Sequence, residues 1–216
     1  MIHPSLKACL ALLACCGLLG APAASAAAED PAATATALVA LQAQVRELQD
    51  IEAIKRLKHA YFRAIDSADV ALLKTLVTPD VEVRFIGGDY DWSLKGREEY
   101  IEAVGRNFNS EVIAQHNGHH PEITIESETE AGGIWYLHDN FYNLRARLFT
   151  TGSAFYHDRY RKVDGRWQIA STRYVRHYEI VTPMKALPNI TVNYLAKHGR
   201  VVDRDCHKDA LCRDAQ

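Results

Sequence analysis

Several side chains in this sequence sit where a plain apolar core has no use for them, and their types say what chemistry they could do. The stretch His116-Asn117-Gly118-His119-His120-Pro121 is the densest group of titratable side chains. Imidazole is the side chain best suited to taking up or releasing a proton near neutral pH, so acid–base chemistry would be housed here. Gly118 and Pro121 interrupt regular alternation, so the pattern does not say which ring points inward. The competing readings are a solvated edge for His119 and His120, or a zinc site, which lacks an obvious third or fourth ligand element.

Two charged residues fall on apolar faces. Asp139 shares strand parity with Trp135, Leu137 and Phe141, which projects a carboxylate into a core unless a bulge turns it out or a base pairs with it. Arg176 shares parity with Tyr174, Tyr178 and Ile180. A permanent cation among rings either stacks on them, pairs with Asp139 or binds an anion. Tyr61 continues a helical apolar stripe and needs a partner for its hydroxyl. Asp66, in the last turn of the same helix, meets the unfavourable end of the helix dipole at a cost of about 0.3–1 kcal/mol. It either helps to cap the next helix or orients a histidine.

The elements that position these residues are read from periodicity. Leu38, Leu41, Val45, Leu48, Ile51, Ile54, Leu57 and Tyr61 recur at spacings of three and four, with Arg46, Glu47, Asp50, Glu52, Lys55 and Lys58 on the other faces, which predicts a long amphipathic helix. Its first half repeats every seven residues and could pack on another subunit; its second half should pack on its own domain. Ser67-Ala68-Asp69 offers a cap for a short helix, Val70 to Leu76, ended by Pro79. Val81, Val83 and Phe85 then alternate, Gly87-Gly88-Asp89 makes a turn, and a third helix runs from Arg97 to Phe108. Strands are expected at 112–115, 122–126, 134–149, 154–163 and 166–181, with turns at 130–133, 151–152 and 164–165. Helices first and an antiparallel meander afterwards indicate an α+β fold, a curved sheet folded over helices as a cone with a pocket inside.

The chain has 216 residues, 48% hydrophobic and 24% charged, which fits one globular domain with an appendage and excludes a disordered or fibrous chain. A formal charge of -2 provides no basic field for nucleic acid, which is therefore not an expected partner. Lys7, the apolar run Ala8 to Leu19 and Ala24-Ser25-Ala26 together read as an export signal over residues 1–26, cleaved after Ala26 or Ala28. An uncleaved anchor, or lipidation at Cys15 after Leu12-Leu13-Ala14, are the alternatives, and a membrane enters only through them. Residues 27–37 are a low-complexity linker, 38–195 the domain and 196–216 a polar tail. Cys9, Cys15 and Cys16 leave with the signal, and Cys206 and Cys212 most simply form one disulfide in an exported protein. A metal site of Cys206, His207 and Cys212 is the alternative, without a second ligand cluster nearby.

The segments 50–57, Tyr61-Phe62-Arg63 and Asp66 resemble the opening helix of SnoaL-like proteins in the nuclear transport factor 2-like superfamily. Further motifs are His116-x-Gly118-His119-x-Pro121, Trp135-Tyr136-Leu137-x-Asp139, Gly152-x-Ala154-Phe155-Tyr156 and Tyr174-Val175-Arg176, which are similar to the bile acid 7α-dehydratase branch. The resemblance implies a lyase without cofactor or metal, acting on a steroid and often trimeric. It implies Tyr61, Asp66, His116 and Arg176 as catalytic residues, with Phe85, His119, Asp139 and Tyr156 at the substrate. Phe85 stands where that branch carries a tyrosine, which removes one hydroxyl. An exported, periplasmic or secreted form would meet free or amide-conjugated acids instead of coenzyme A thioesters. The alternatives are a related isomerase and a noncatalytic binding protein for hydrophobic ligands.

Overall fold

The computed structural model describes residues 30–202; the predicted signal and the cysteine pair lie outside them. The chain divides into residues 1–40 and 41–216. Helix α1 spans Pro31–Asp66, so residues 31–37, expected as linker, are helical, and within residues 1–40 the helix is exposed to solvent. In the second unit Leu41, Val45 and Leu48 are also exposed, whereas Ile54, Leu57, Tyr61, Phe62 and Ile65 are buried. Among the described residues no helix is long and apolar enough to cross a membrane.

Two short helices follow from local signals. Asp69 caps α2, Val70–Leu76, by accepting the N–H of Leu72 at 2.9 Å, the expected role of a carboxylate at that position. Helix α3, Arg97–Asn107, buries Tyr100, Ala103 and Val104. The sheet is built from β1 (Val77–Ile86), β2 (Asp91–Lys95), β3 (Val112–Ile125), β4 (Glu130–Asn143), β5 (Leu148–Val163) and β6 (Arg166–Pro183), and a short α4 (Tyr194–His198) follows. The strand order is β2-β1-β6-β5-β4-β3. Only β1 and β6 run parallel among these neighbours. The expected α+β architecture with a curved sheet is therefore present, antiparallel except at the β1–β6 pair.

The strand boundaries differ from the sequence reading for identifiable reasons. The long strand expected from Ile134 to Phe149 is cut at 144–147, where the Asn143 side chain accepts the N–H of Ala146 at 2.9 Å and Arg147 adopts φ 55°. Residues 130–133, expected as a turn, are ladder residues of β4. The turn lies just before them, closed by the Ser127 hydroxyl, which accepts the N–H of Thr129 and Glu130. Thr151-Gly152, also expected as a turn, sits inside β5 opposite Asn140 and Asp139. The His-rich stretch does not break its strand: β3 runs through it, and the register shifts between His119 and Glu122, where His120 takes φ 49°. That local bulge absorbs Pro121.

One helical assignment fails outright. Lys58, placed on a polar face by the 3.6-residue period, is fully buried. Its ammonium lies 2.8 Å from Asp158 Oδ2 on β5, 3.8 Å from the Tyr156 ring centroid and 4.3 Å from that of Tyr61. The Tyr160 hydroxyl donates to the same Asp158 oxygen, and Trp135 Nε1–H donates to Tyr160. A buried ion pair joined to hydrogen bonds thus ties α1 to the inner face of the sheet. Burial drives the lysine toward its neutral form and Asp158 opposes that.

Candidate active site

Where α1 ends against β3, Asp66 reaches His116 across 50 positions of sequence. Its Oδ1 lies 2.6 Å from His116 Nδ1, and its Oδ2 accepts the His116 backbone N–H at 3.0 Å. An ionised carboxylate only accepts, so Nδ1 carries the hydrogen, and in the neutral imidazole Nε2 is the nitrogen free to take a proton. Phe62 stacks on the imidazole at 6.4 Å between centroids and Phe108 packs on it at 5.8 Å. Gly118 makes this possible, because a β-carbon there would coincide with the Phe62 ring. His116 faces a cavity of about 360 Å³ whose lining is mostly aromatic and aliphatic, within the range of small-molecule sites.

A phenol pair contributes to the same cavity. Tyr61 Oη and Tyr100 Oη are 2.6 Å apart, both side chains buried. Burial pushes both phenols well above their ordinary range, so they are neutral hydrogen-bond donors. Tyr156 stands edge-on to Tyr61 and to Phe85, and Phe85 stacks on Tyr174 at 4.4 Å with 12° between planes. Phe85 is thus a flat wall of the cavity. Trp92, on β2, and Tyr90, just before it, also line the cavity. The sequence reading named neither as a site residue, nor Tyr100, whose spacing served only to place α3.

Arg176 lies in the wall but is already engaged. Its two terminal nitrogens bond both oxygens of Asp139, one at 2.7 Å, and its Nε–H donates to Tyr90 Oη at 2.9 Å. Burial works against the guanidinium charge, but Asp139 and the neighbouring Tyr174 and Tyr90 outweigh it. Gly152 sits between the two strands involved, and a β-carbon there would lie 3.0 Å from Arg176 Nη1 and 2.7 Å from the Tyr178 carbonyl oxygen. The glycine leaves the space the guanidinium crosses to reach Asp139. The parity argument holds for Asp139, and for Arg176 it holds with Tyr174 but not with Tyr178 and Ile180, which are exposed; the pairing alternative is the one realised.

His119 is not brought to this site. It stacks on the exposed Tyr136 at 5.1 Å and lies 2.6 Å from His120 Nδ1, and it is absent from the cavity lining. Strand alternation from His116 puts His119 on the opposite face, which corrects its expected place at the substrate. Among the described residues no three His, Cys, Asp or Glu side chains are grouped to hold a metal.

A curved sheet enclosing an aromatic cavity, with an imidazole oriented by a carboxylate, defines a small-molecule pocket protein equipped to move a proton. Residues 46–173 match the SnoaL-like domain, and the chain belongs to that family. Similar folds include a protein assigned as a scytalone dehydratase from Novosphingobium aromaticivorans, with 22% identity, TM-score 0.57, and coverage of 68% of this chain and 97% of that one. A hexachlorocyclohexane dehydrochlorinase of type 2 matches with 19% identity and TM-score 0.59 over 68% and 99% of the two chains. A type 3 form from Novosphingobium barchaimii matches with 18% identity and TM-score 0.57 over 68% and 98%. At these identities the likeness is one of fold.

Proposed function

We propose that the protein is a lyase that eliminates water from a hydroxylated polycyclic substrate using its own side chains, most concretely from a 7-hydroxy-3-oxo-4-ene steroid. The observation that carries this reading is the imidazole of His116, held at Nδ1 by Asp66 and presenting Nε2 to an aromatic cavity. Nε2 takes the proton from carbon six, and the electron pair moves into a dienolate. The hydroxyl then leaves carbon seven, taking the proton back from the imidazolium as water. The neutral Tyr61–Tyr100 pair supplies a donor for the developing enolate oxygen or for the departing hydroxyl. General acid–base help of this kind contributes ~10²–10⁴-fold, and the flat Phe85–Tyr174 stack suits a rigid ring system.

The fold relatives assigned as a dehydratase and a dehydrochlorinase support elimination as the reaction class. The resemblance to the bile acid branch supports the steroid. The same reading takes the protein as exported and homotrimeric. The test is to incubate the purified protein with a 7-hydroxy-3-oxo-4-ene steroid and follow the dienone, which absorbs at longer wavelength than the enone. Product formation lost in His116→Ala is the expected result. Ligand binding without that spectral change would instead identify a noncatalytic binding protein.

A further inference from the structure

Beyond the dyad, the cavity wall has an unbalanced charge. The charged side chains lining it are three acids, Asp89, Asp139 and Glu179, and one base, Arg176. Arg176 lies between two of these acids: Asp139 holds its terminal nitrogens, and Glu179 Oε2 is 3.3 Å from its Nε. An arginine so flanked has no surplus charge to offer an incoming anion.

Glu179 itself is incompletely satisfied. Its side chain is only 10% exposed. Oε1 accepts the backbone N–H of Gly88 at 3.1 Å, but Oε2 has no hydrogen-bond donor. The reason is stoichiometric. Arg176 Nε carries one hydrogen, and that hydrogen goes to Tyr90 Oη. Glu179 is therefore attracted to the guanidinium by charge while its second oxygen, shut off from solvent, is left without a donor beside the cavity that the residue lines. A buried anionic acceptor without a donor is costly, and a ligand hydroxyl would remove that cost. Its position depends on the register shift between Ser153 and Ala154, where Ser153 pairs with Tyr178 and Ala154 with Arg176. The extra residue reverses the alternation of β6, so Glu179 and Val181 follow Tyr174 and Arg176 into the lining. Arg176 and Glu179 both lie past residue 173, where the match to the family ends.

We propose that Glu179 is a specificity-determining residue: its carboxylate turns the undonated Oε2 toward the ligand to accept a hydrogen bond from an uncharged hydroxyl of the substrate, and the Asp139–Arg176–Glu179 group repels a carboxylate from that place. The inference rests on the cavity being the substrate site and deepens that reading by naming the polar group it selects. It gives Arg176 the task of balancing two carboxylates, without binding an anion of the substrate.

The test compares two 7-hydroxy-3-oxo-4-ene steroids whose side chains end in a primary alcohol or in a carboxylate, with dissociation constants measured on the full chain. The alcohol is expected to bind on the order of tenfold more tightly at low ionic strength, and salt should narrow the gap. Glu179→Gln, which keeps an acceptor for Gly88 but removes the charge, should close most of it by improving carboxylate binding. The wild-type comparison at two salt concentrations carries the test even if the variant folds poorly. Equal or tighter binding of the carboxylate by the wild type, or an unchanged ratio in folded Glu179→Gln, overturns the proposal while leaving the lyase reading intact if turnover is seen. Binding of neither steroid overturns the steroid reading instead, and the preference is then read from naphthalenemethanol against naphthoate. Tighter binding of the alcohol, with the gap closed in Glu179→Gln, supports the role of Glu179; equal or tighter binding of naphthoate overturns it.

Discussion

Asp66 holds His116 twice, with one oxygen on the ring Nδ1 and the other on the backbone N–H of the same residue. The first bond fixes the tautomer and the second fixes the strand residue that carries the ring. A carboxylate at a helix C-terminus, unfavourable on its own account, is here offset by the two bonds it makes to its neighbour.

Replacing either member should separate chemistry from folding. His116→Ala should lower the rate of dienone formation by about 10²–10⁴-fold with little change in the thermal midpoint. Asp66→Asn preserves an acceptor for the backbone N–H but offers a side-chain N–H to Nδ1, so the ring proton moves to Nε2 and the base is lost. The same order of rate loss is expected, together with a tautomer change visible in the nitrogen chemical shifts of the imidazole. Full activity in Asp66→Asn would remove Asp66 from the mechanism.

The Arg176 group should respond asymmetrically. Arg176→Met leaves Asp139 and Glu179 without their common cation and should cost about 3–5 kcal/mol, as breaking buried pairs does. Asp139→Asn leaves the guanidinium with Glu179 still beside it, and so should cost clearly less. Chemical denaturation of both variants measures the difference; equal losses would mean that Glu179 does not share the charge.

Much of this arrangement was legible in the sequence. The buried half of α1, the Asp69 cap and α3 follow from a 3.6-residue period, and the inward faces of Asp139 and Arg176 follow from alternation. What could not be read depends on long-range register. Lys58 looks like a solvated helix residue until β5 brings Asp158 to it. Glu179 looks outward because alternation from Arg176 places Tyr178 and Ile180 inward, yet those two are exposed once the bulge has reversed the strand. His119 was placed at the substrate by resemblance, and parity counted from His116 excludes it only after His116 is known to point inward.

Gly152 tests whether glycine serves here as a passage and not as a turn. A β-carbon at this position would press on the Tyr178 carbonyl and on Arg176 Nη1. Backbone cannot retreat as a flexible side chain can, so Gly152→Ala should cost about 1–3 kcal/mol and loosen the Asp139–Arg176 pair. The drop in thermal midpoint should be accompanied by weakened ligand binding. A fully stable Gly152→Ala protein with unchanged binding would show that the strands can part without consequence.

The tyrosines give the pH dependence. Tyr61, Tyr100, Tyr156, Tyr160 and Tyr174 are all buried, and burial is the first cause that raises each phenol above its ordinary range. In the unfolded chain the same groups ionise near pH ~10. The folded protein thus holds more protons than the unfolded one above that pH. The stability these phenols contribute is complete below about pH 10 and is lost progressively as the pH rises toward their folded-state values. An alkaline titration followed by phenolate absorbance should therefore show the five buried tyrosines ionising in a steep step that coincides with loss of the helical circular dichroism signal. A single smooth titration of all ten tyrosines with the fold still intact would mean that the phenols around the cavity are open to hydroxide, and that the dry aromatic wall on which the proposed elimination depends does not exist.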